Sequence, residues 1–287
     1  MEGLPLVSIV TPSFNQGRFL RRTIESVLGQ GYPRIEYIVC DGGSTDGSRE
    51  ILGSYGDRLR WDSQPDAGQS AALNRGFAGA HGEVFAYLNS DDLLRPGAVE
   101  AVVQHLARNA ECDLVYGDAD YVDEEDRVIG AYPTAEYSFS RLAEENVVCQ
   151  PAAFWRSRVA GRVGPFNEAL RYAMDYEYWL RLARAGGRLE HLPRILAATR
   201  LHPGAKTLAE RRDVLREIFA VCETQLGRVG RTYFIGLWHD RMAAGPGRWL
   251  GPPARWRRLY QAVGYLHHKW YHRGRRAQRG LGAGSAP

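Results

Sequence analysis

Residues 6–15 read LVSIVTPSFN, a short apolar run followed at once by turn-forming residues. The apolar part, residues 6–10, contains β-branched side chains and predicts a buried strand that ends at the turn signals Thr11, Pro12 and Ser13. Apolar residues then recur at helical spacing over residues 18–28, and a second apolar run occupies residues 35–40. Strand, helix and strand in this order predict a β-α-β unit with parallel strands.

The same alternation continues to about residue 200. Further strands are predicted at 59–63, 84–88, 114–116, 121–122 and 152–155. Further helices are predicted at 48–52, 67–80, 96–108, 136–145, 175–185 and 208–226. We therefore predict an α/β fold in which a mostly parallel sheet is covered by helices on both faces.

The composition narrows the class of protein. Of the 287 residues, 44% are apolar and 24% are charged, which is typical of a globular chain and excludes disordered, collagenous and membrane-spanning ones. Four scattered cysteines without a Cys-x-x-Cys pair argue against a thiolate zinc site or a disulfide scaffold. Because the first residues also lack the pattern of a secretory signal, we expect a cytoplasmic protein.

Positive charge is concentrated near the end of the sequence. Twelve arginines and lysines but a single acid, Asp240, fall between residues 228 and 279, where aromatic side chains are interleaved with them. Basic, aromatic segments of this kind are typical of helices that lie on anionic membranes. Contact with nucleic acid and a solvated terminus are the alternatives. We divide the chain into a main domain, 1–207, and a helical, basic, aromatic-rich extension, 208–287.

Polar side chains follow each of the first four predicted strands. Ligands of parallel α/β sheets bind beyond the carboxyl ends of the strands, so these side chains are candidate binding groups. They are Thr11, Pro12, Ser13, Phe14 and Asn15 after the first strand, Asp41 and Asp46 after the second, Asp66, Gly68, Gln69 and Asn74 near the third, and Asn89, Ser90, Asp91 and Asp92 after the fourth. Turn formation explains any one cluster, whereas four together indicate a ligand site.

Asp91 and Asp92 are adjacent carboxylates at a predicted strand end. Like charges this close repel each other unless a cation or several hydrogen-bond donors compensate them. Mg²⁺ and Mn²⁺ prefer oxygen ligands and are held by one or two carboxylates together with substrate phosphates. The pair therefore predicts a divalent metal site. The alternative is that Asp92 caps the helix predicted from residue 96.

Four spaced motifs together resemble a known family. They are SIVTPSFN at 8–15, DGGSTD at 41–46, QPDAGQ at 64–69 and NSDD at 89–92. In this order and spacing they resemble the family 2 glycosyltransferases of the GT-A fold, which are Rossmann-like, inverting and metal-dependent enzymes. The resemblance covers residues 4 to about 207. It implies that residues 1–207 are a GT-A catalytic domain.

The resemblance assigns roles to residues of the metal and donor sites. Asn89-Ser90-Asp91 stands in the place of the family's Asp-x-Asp, so it implies that Asp91 is a metal ligand, joined by Asp92 and by His202. It also implies that Lys206 offsets the charge of the leaving group. One departure is Gly42, where many members carry a second acid that contacts the base. The implied contacts to the donor nucleotide are Thr11, Pro12, Asn15, Asp41, Asp66, Gln69, Asn74, Asn89 and Lys206.

The resemblance also assigns the acceptor side. Asp175 corresponds to the acid that takes the proton of the acceptor hydroxyl, a step that inversion by in-line attack requires. A simple helix N-cap is the alternative for Asp175, and an ion pair with Arg181 is the alternative for Glu177. For two of the three aromatics Trp155, Tyr176 and Trp179, core packing is the expected fate. The implied acceptor-binding residues are Gln150, Trp155, Glu177 and Trp179.

From these residues we expect an inverting glycosyltransferase of the hexosyltransferase type, dependent on Mg²⁺ or Mn²⁺. It would move a sugar from a nucleoside diphosphate sugar to a saccharide or lipid-linked acceptor, in the synthesis of a cell-surface polysaccharide or glycolipid. We expect it to lie peripherally on the inner face of the plasma membrane, and we expect no nucleic acid partner. The alternatives are a nucleotidyltransferase, for which the loop after the first strand lacks the usual glycine-rich basic sequence, and a non-catalytic module that binds a nucleotide sugar or carbohydrate.

Overall fold

The opening stretch of the chain forms strand β1 (Val7–Ser13), whose seven residues are all buried. It pairs in parallel with β2 (Ile35–Asp41) on one side and with β4 (Val84–Tyr87) on the other. Burial on both faces explains its nearly continuous apolar sequence. The structure, a computed structural model, describes residues 3–244, so the predictions for residues 245–287 lie outside the described part.

Strands and helices alternate through most of the described chain. The other strands are β3 (Arg60–Ser63), β5 (Leu93–Leu94), β6 (Leu114–Val122), β7 (Val128–Ala131), β8 (Ala153–Arg156) and β9 (Leu189–Arg200). The helices are α1 (Gly17–Leu28), α2 (Ser48–Gly53), α3 (Gln69–Ala78), α4 (Ala98–Arg108), α5 (Phe139–Leu142), α6 (Arg158–Val163), α7 (Met174–Arg184), α8 (Lys206–Ala209), α9 (Arg211–Leu226) and α10 (Arg231–Ala244).

All nine strands of the described chain belong to one sheet, in the order β3-β2-β1-β4-β8-β6-β9-β5, with β7 paired to β6. The half formed by β1 to β4 is parallel. Strand β8 runs antiparallel to both β4 and β6, whereas β6 and β9 are parallel. The sheet is therefore more mixed than the sequence pattern predicts, although its first half is the parallel unit expected.

Helices cover both faces of the sheet, as predicted. On one face, residues of α1 and α4 join alternate residues of β1 in one buried cluster, which includes Ile9, Leu20 and Val102. On the other face, Val10 joins a second cluster with Leu73 of α3 and Trp179 of α7. Because successive strand residues point to opposite faces, both clusters share β1.

Several elements differ from the sequence prediction. Residues 11–13 extend β1, because the predicted turn signals pair with β2 in register, Ser13 opposite Asp41. The strands predicted at 114–116 and 121–122 form one strand, β6, whose register with β9 shifts on both sides of Asp118. Of the helix predicted at 136–145, the short α5 forms. The long strand β9 was not delimited by the sequence analysis.

The first helices of the predicted extension belong to the same core as the main domain. The buried cluster that contains Trp179 also includes Val221 and Cys222 of α9, Val229 of the turn that follows, and Phe234 of α10. The chain is therefore continuous in its packing across residue 207. None of the helices in the described part is both long enough and apolar enough to cross a membrane.

Candidate active site

The loop after β2 is held by the carboxylate of Asp41, which is completely buried. Asp41 Oδ2 accepts hydrogen bonds from the backbone N–H groups of Gly43 (3.1 Å) and Ser44 (2.8 Å) and from Ser63 Oγ (2.6 Å). Its Oδ1 accepts from Ser44 Oγ at 2.5 Å. Asp41 thus supports the loop in this structure, and the nucleotide contact that the resemblance implies for it stays a prediction.

Two neighbouring residues with implied nucleotide contacts, Thr11 and Pro12, also have buried side chains, and those contacts stay predictions. The hydroxyl of Thr11 is buried and lies 3.0 Å from the hydroxyl of Tyr37, so it faces the interior. Pro12 is also buried within β1. These residues shape the end of the strand, and their side chains do not reach its open surface.

Asn15 joins the loops that follow β1 and β2. Its backbone lies in the left-handed region (φ 52°), a conformation that asparagine tolerates better than most residues. Its Oδ1 accepts a hydrogen bond from Thr45 N at 3.0 Å, and its own N–H donates to Ser44 Oγ at 2.7 Å. Asn15 is exposed at the strand ends, where the sequence predicts a ligand contact.

An open surface lies between Phe14 and Asp66. The ring of Phe14 is 62% exposed, which is unusual for so large an apolar group. A Cβ added to Gly42 would stand 3.2 Å from this ring and 3.4 Å from Asp66 Oδ1. Glycine at 42 therefore keeps this surface flat, which gives the departure from the family pattern a physical reason. Asp66 itself is held by Gly68 N (2.9 Å) and an ion pair with Arg75 (3.4 Å).

A chain of polar side chains crosses the carboxyl ends of the strands. Lys206 Nζ donates to Gln69 Oε1 (3.1 Å), and Gln69 Nε2 donates to Asn89 Oδ1 (2.6 Å). Asn89 Nδ2 donates in turn to Gln150 Oε1 (3.1 Å), whose own amide donates to Tyr87 O (2.7 Å). Partial burial, followed by the nearby charge of Arg171, lowers the pKa of Lys206. The structure thus brings four predicted site residues into one network.

Asp91 and His202 form the centre of the candidate metal site. Asp91 Oδ2 lies 3.0 Å from His202 Nε2, and the imidazole packs on the ring of Phe19 with centroids 4.8 Å apart. A carboxylate oxygen and an imidazole nitrogen are suitable ligands for Mn²⁺, and with phosphate oxygens also for Mg²⁺. The pair therefore fits a divalent ion that is completed by a ligand's phosphates.

Asp92 does not share that position. Its Oδ1 accepts a hydrogen bond from Arg200 N (3.0 Å) and its Oδ2 accepts from Asn89 Nδ2 (3.3 Å). Burial, and then the charge of Asp91, raises the pKa of Asp92 well above its usual range. In this structure the carboxyl group of Asp92 faces the interior and holds the loop, and its role as a metal ligand stays a prediction. Asp92 does not cap α4, because the residue before that helix is Gly97.

Arg200 is the residue of this site that the sequence analysis missed. Its side chain is buried beneath the acidic loop, where Nε donates to Asp91 O (2.8 Å) and Nη1 donates to Asp123 O (2.9 Å). It also pairs with Asp126, and its guanidinium lies 4.8 Å from the centroid of Phe19. Its place two residues before His202, at the end of a strand, is the signal that could have marked it.

Asp175 lies in the first turn of α7 and is half-buried. Asn146 Nδ2 approaches its Oδ2 at 3.4 Å. Burial raises the pKa of Asp175 to about 6, although hydrogen bonds from the Tyr176 N–H and from Asn146 act in the opposite direction. The residue at the N-cap is Ala173, so capping does not explain the acid at position 175.

One loop connects Asp175 with the polar network. Asn146 and Gln150 belong to the segment between α5 and β8, and they bond Asp175 and Asn89 respectively. Burial is the largest cause of the raised pKa values of Tyr87 and Cys149. The negative charges of Asp175 and Asp92 raise both pKa values further. Asp175 and the acidic loop therefore face the same region of the molecule.

The predicted acceptor-binding aromatics are in the core. Trp155 and Trp179 are fully buried, with ring centroids 5.5 Å apart, among Phe166 and Tyr178. Tyr176 is buried as well. The faces of these rings are used in packing in this structure, which agrees with core packing as the alternative for Trp155 and Trp179.

Two further predicted residues have structural partners. Glu177 is buried and accepts hydrogen bonds from Arg181 (2.8 Å) and Gln225 (2.9 Å), so the ion-pair alternative is the correct one. Asn74 donates to Phe166 O (2.9 Å) and accepts from Phe166 N (2.8 Å), which anchors the segment before α7. Neither side chain contributes to the network of Asn89 and Gln69.

Solved structures with the same architecture were found by comparison. S. aureus TarS 1–349, solved in complex with UDP-GlcNAc, matches with a TM-score of 0.62 at 17% identity over 94% of this chain and 92% of that one. The mannosyltransferase PcManGT from Pyrobaculum calidifontis, solved with GDP-Man and Mn²⁺, matches with a TM-score of 0.60 at 17% identity, over 99% and 76%. Both are GT-A glycosyltransferases, and the likeness shows that this chain has the GT-A fold.

Sequence relatives are closer. Chondroitin synthase of Escherichia coli is 30% identical over 235 residues, which are 80% of this chain and 34% of that protein. Hyaluronan synthase of Pasteurella multocida is 29% identical over 235 residues, 80% of this chain and 24% of that protein. The chain thus spans about a quarter to a third of these relatives. A glycosyltransferase of Mycobacterium tuberculosis is 36% identical over 187 residues, which are 64% of this chain and 71% of that protein.

Residues 8–164, more than half of the chain, match the family model Glycosyl transferase family 2. The protein therefore belongs to this family of glycosyltransferases.

Proposed function

We propose that this glycosyltransferase moves a sugar from a nucleoside diphosphate sugar to a hydroxyl group of a saccharide or lipid-linked acceptor, with inversion at the anomeric carbon. The observation that carries the proposal is the placement of Asp175 and of the Asp91–His202 pair around one region, linked through the loop of Asn146 and Gln150. In-line attack requires a base on one side of the reacting carbon and the diphosphate on the other.

The donor class is supported by the structural neighbours. TarS was solved with UDP-GlcNAc and PcManGT with GDP-Man, so a nucleoside diphosphate sugar is the donor that we propose here. The flat surface between Phe14 and Asp66 is a suitable place for a base, because an exposed ring offers a stacking face. Asn15 and Asp66 stand at the edges of that surface.

Asp175 is the proposed general base. With a pKa of about 6 it is mostly ionised at neutral pH, yet it is more basic than an ordinary aspartate and can accept the proton of a hydroxyl as that group attacks. Asn146 holds the carboxylate in one orientation. Lys206 and Gln69 are proposed to bind the leaving diphosphate, since the ammonium group is a compact cation beside an amide.

A divalent ion is the proposed cofactor, and Asp91 and His202 would hold it. When bound, such an ion neutralises phosphate charge that develops as the diphosphate leaves. The Mn²⁺ in the PcManGT complex supports this proposal. Arg200 holds the loop of Asp91 from beneath.

The proposed acceptor is a growing saccharide or a lipid-linked saccharide in the synthesis of a cell-surface polysaccharide or glycolipid. The names of the chondroitin and hyaluronan synthases support a polysaccharide product. We further propose that the chain acts at the inner face of the plasma membrane, for which the charge of residues 245–287 is the support.

The test is a screen of nucleoside diphosphate sugars for metal-dependent release of nucleoside diphosphate. We expect release with at least one donor, its loss in excess chelator, and its loss in Asp91→Asn together with metal-dependent nucleotide binding. Asp57→Asn, an exposed aspartate away from the strand ends, is the matched control and should keep full activity. Release of pyrophosphate from a nucleoside triphosphate and a sugar 1-phosphate, tested in parallel, would indicate a nucleotidyltransferase. Binding of a nucleoside diphosphate sugar without any turnover would indicate a binding module, and either result contradicts the proposal.

A further inference from the structure

A second group of metal-ligating side chains lies at the opposite end of the sheet. His105 is in the last turn of α4, Cys112 stands two residues before β6, and Glu190 is the second residue of β9. Arg200, beneath the acidic loop, ends the same strand ten residues later, so this group is roughly 30 Å from the candidate active site at about 3.3 Å per strand residue.

The ligand atoms of these three residues converge. His105 Nε2, Cys112 Sγ and a carboxylate oxygen of Glu190 lie within 4.8 Å of one another, and His105 Nε2 is 2.8 Å from Glu190 Oε2. Among the residues that the structure describes, no other set of three or more His, Cys, Asp or Glu side chains is gathered in this way. We propose that His105, Cys112 and Glu190 bind a zinc ion.

The chemistry of the three side chains selects this metal. Imidazole nitrogen, thiolate sulfur and carboxylate oxygen are the ligands that Zn²⁺ uses in proteins, and three of them leave a fourth position for water. His105 and Glu190 are partly exposed, so water can reach that position, whereas Cys112 is buried. Mg²⁺ and Mn²⁺ prefer oxygen ligands, so the sulfur distinguishes this site from the one at Asp91.

The backbone around the site is fixed by hydrogen bonds that do not depend on a metal. The guanidinium of Arg156 donates to Cys112 O (2.9 Å) and to Leu106 O (2.8 Å). The amide of Asn109 donates to His105 O (2.9 Å), and Cys112 N donates to Asn109 O (3.0 Å). The end of α4 and the turn that carries Cys112 are therefore held together before any ion binds, which lowers the cost of assembling the ligands.

The neighbouring acid is not a competing ligand. Asp113 accepts hydrogen bonds from Arg158 (3.0 Å), Arg162 (2.8 Å) and Arg188 N (3.1 Å), so its carboxylate is already fully engaged. The thiol of Cys112 makes one weak bond, to Leu114 O at 3.2 Å. Burial raises the pKa of this thiol to about 12.

This proposal runs against one expectation drawn from the sequence. Scattered cysteines argue against a zinc site because such sites are usually recognised by cysteine pairs close in sequence. Here a helix end, a turn and a strand bring one cysteine to a histidine and a glutamate that are seven residues before it and 78 after it. A bound ion would join α4 to β6 and β9, so zinc should raise the thermal stability of the chain.

The test is a titration of the reduced, full-length, metal-free chain with Co²⁺, a spectroscopic substitute for Zn²⁺. We expect the near-ultraviolet charge-transfer band of a cobalt–thiolate bond, its loss on addition of Zn²⁺, and a rise in melting temperature with either ion. The thiolate band is specific, because the histidines of residues 245–287 have no cysteine beside them in the sequence and the active-site pair has no sulfur ligand.

Substitutions of single residues test which side chains bind the ion. Cys112→Ala should abolish the band, and Glu190→Gln, a partly exposed side chain whose change keeps its size, should weaken Co²⁺ binding by at least about 10-fold. Cys222→Ala, another buried free cysteine, is the matched control and should keep the band. No thiolate band in the wild-type chain, or a band that survives in folded Cys112→Ala, would overturn the proposal, as would unchanged affinity in Glu190→Gln. Donor turnover is not read out, so the outcome is independent of the proposed function.

Discussion

At the scale of single residues, two adjacent acids show how differently neighbours in sequence can act. Asp91 points to His202, whereas Asp92 is bonded to Arg200 N and Asn89 in the interior. Opposite orientations follow from the local backbone, since Asp92 N donates to Asn89 O and closes a tight turn. We therefore expect the two acids to serve different purposes: the first to meet the diphosphate site, the second to keep the loop in place.

Asp175 gives the clearest prediction at this scale. Its raised pKa means that the base is lost by protonation as the pH falls through about 6, whereas an ordinary aspartate would titrate near 3.8. We expect kcat/KM to fall about tenfold per pH unit below that midpoint. Asp175→Asn should lower the rate by about 10²- to 10⁴-fold and leave donor affinity intact.

The pH profile of the variant completes the experiment. The residual activity of Asp175→Asn should lack the acidic limb, whereas the exposed control Asp57→Asn should keep it. A limb with its midpoint near 4, or one that persists when Asp175 is replaced, would show that another group controls the reaction.

Motifs predicted the place of the site residues better than the direction of their side chains. Asp91, His202, Gln69, Asn89 and Lys206 meet at the strand ends. Positions after or near predicted strands indicate Gln69, Asn89 and Asp91, whereas the family resemblance indicates His202 and Lys206. Thr11 and Asp41 occupy equally suitable positions, yet both are buried. A side chain's direction depends on the register of one strand against the next, which a single sequence does not contain. Arg200 was missed because its partners are backbone carbonyls far away in sequence.

At the scale of elements, the C-terminal helices support the end of α7 that carries Asp175. Glu217 of α9 accepts hydrogen bonds from the N–H groups of Arg171 (2.9 Å), Tyr172 (2.6 Å) and Ala173 (2.6 Å). From α10, the hydroxyl of Tyr233 accepts from Asn146 N at 2.9 Å. The proposed base and the residue that orients it are thus both held by helices outside the region that matches the family model, residues 8–164.

We predict that Glu217→Ala disturbs the site through this support. Three N–H groups would lose their acceptor. Each donor that water reaches poorly would then cost about 1–3 kcal/mol of folding free energy. We expect a lower melting temperature and a fall in kcat, with little change in donor KM. Arg216→Ala, which removes an exposed ion pair with Asp213 on the same helix, should change neither. If both variants lose stability equally while kcat is unchanged, the contact with α7 has no role in positioning Asp175.

Elements were predicted well where the pattern is simple. The regular alternation of apolar runs and amphipathic stretches up to residue 108 predicted α1, β2 and α4 nearly at their observed ends, whereas β1 continues three residues beyond its predicted end. Strand β9 was not delimited, because Pro193, Arg194 and exposed Ile195 interrupt its apolar pattern where the register with β6 shifts. The four-residue α5 replaced a longer predicted helix for which charged residues gave weak periodicity.

At the scale of the whole molecule, charge separates the described body from the residues that follow it. Residues 245–287 contain nine arginines and lysines and no acid, with aromatic residues among them. Anionic membrane surfaces attract such segments with about 1 kcal/mol per basic residue near the surface. The body supplies the catalytic elements, and the sequence that follows supplies the charge that we propose brings it to a membrane-bound acceptor.

The structure shows where the chain has to be truncated to test membrane binding. Truncation after Leu226 would remove Val229 and Phe234 from the core and Tyr233 from its bond to Asn146, so it would test folding and not membrane binding. A chain that ends at Ala244 keeps all of α10.

We expect this shorter chain to lose sedimentation with anionic vesicles while it turns over a soluble acceptor analogue at the full-length rate. The full chain should sediment with anionic vesicles, and high salt should release it because exposed charges are screened. A variant with Arg273, Arg275, Arg276 and Arg279 changed to Gln keeps the length of the tail and should bind at an intermediate level. Equal binding to neutral vesicles, or binding that persists in the chain ending at Ala244, would contradict an electrostatic anchor in residues 245–287. Tighter binding of the full chain to duplex DNA than to the vesicles would favour the nucleic acid alternative instead.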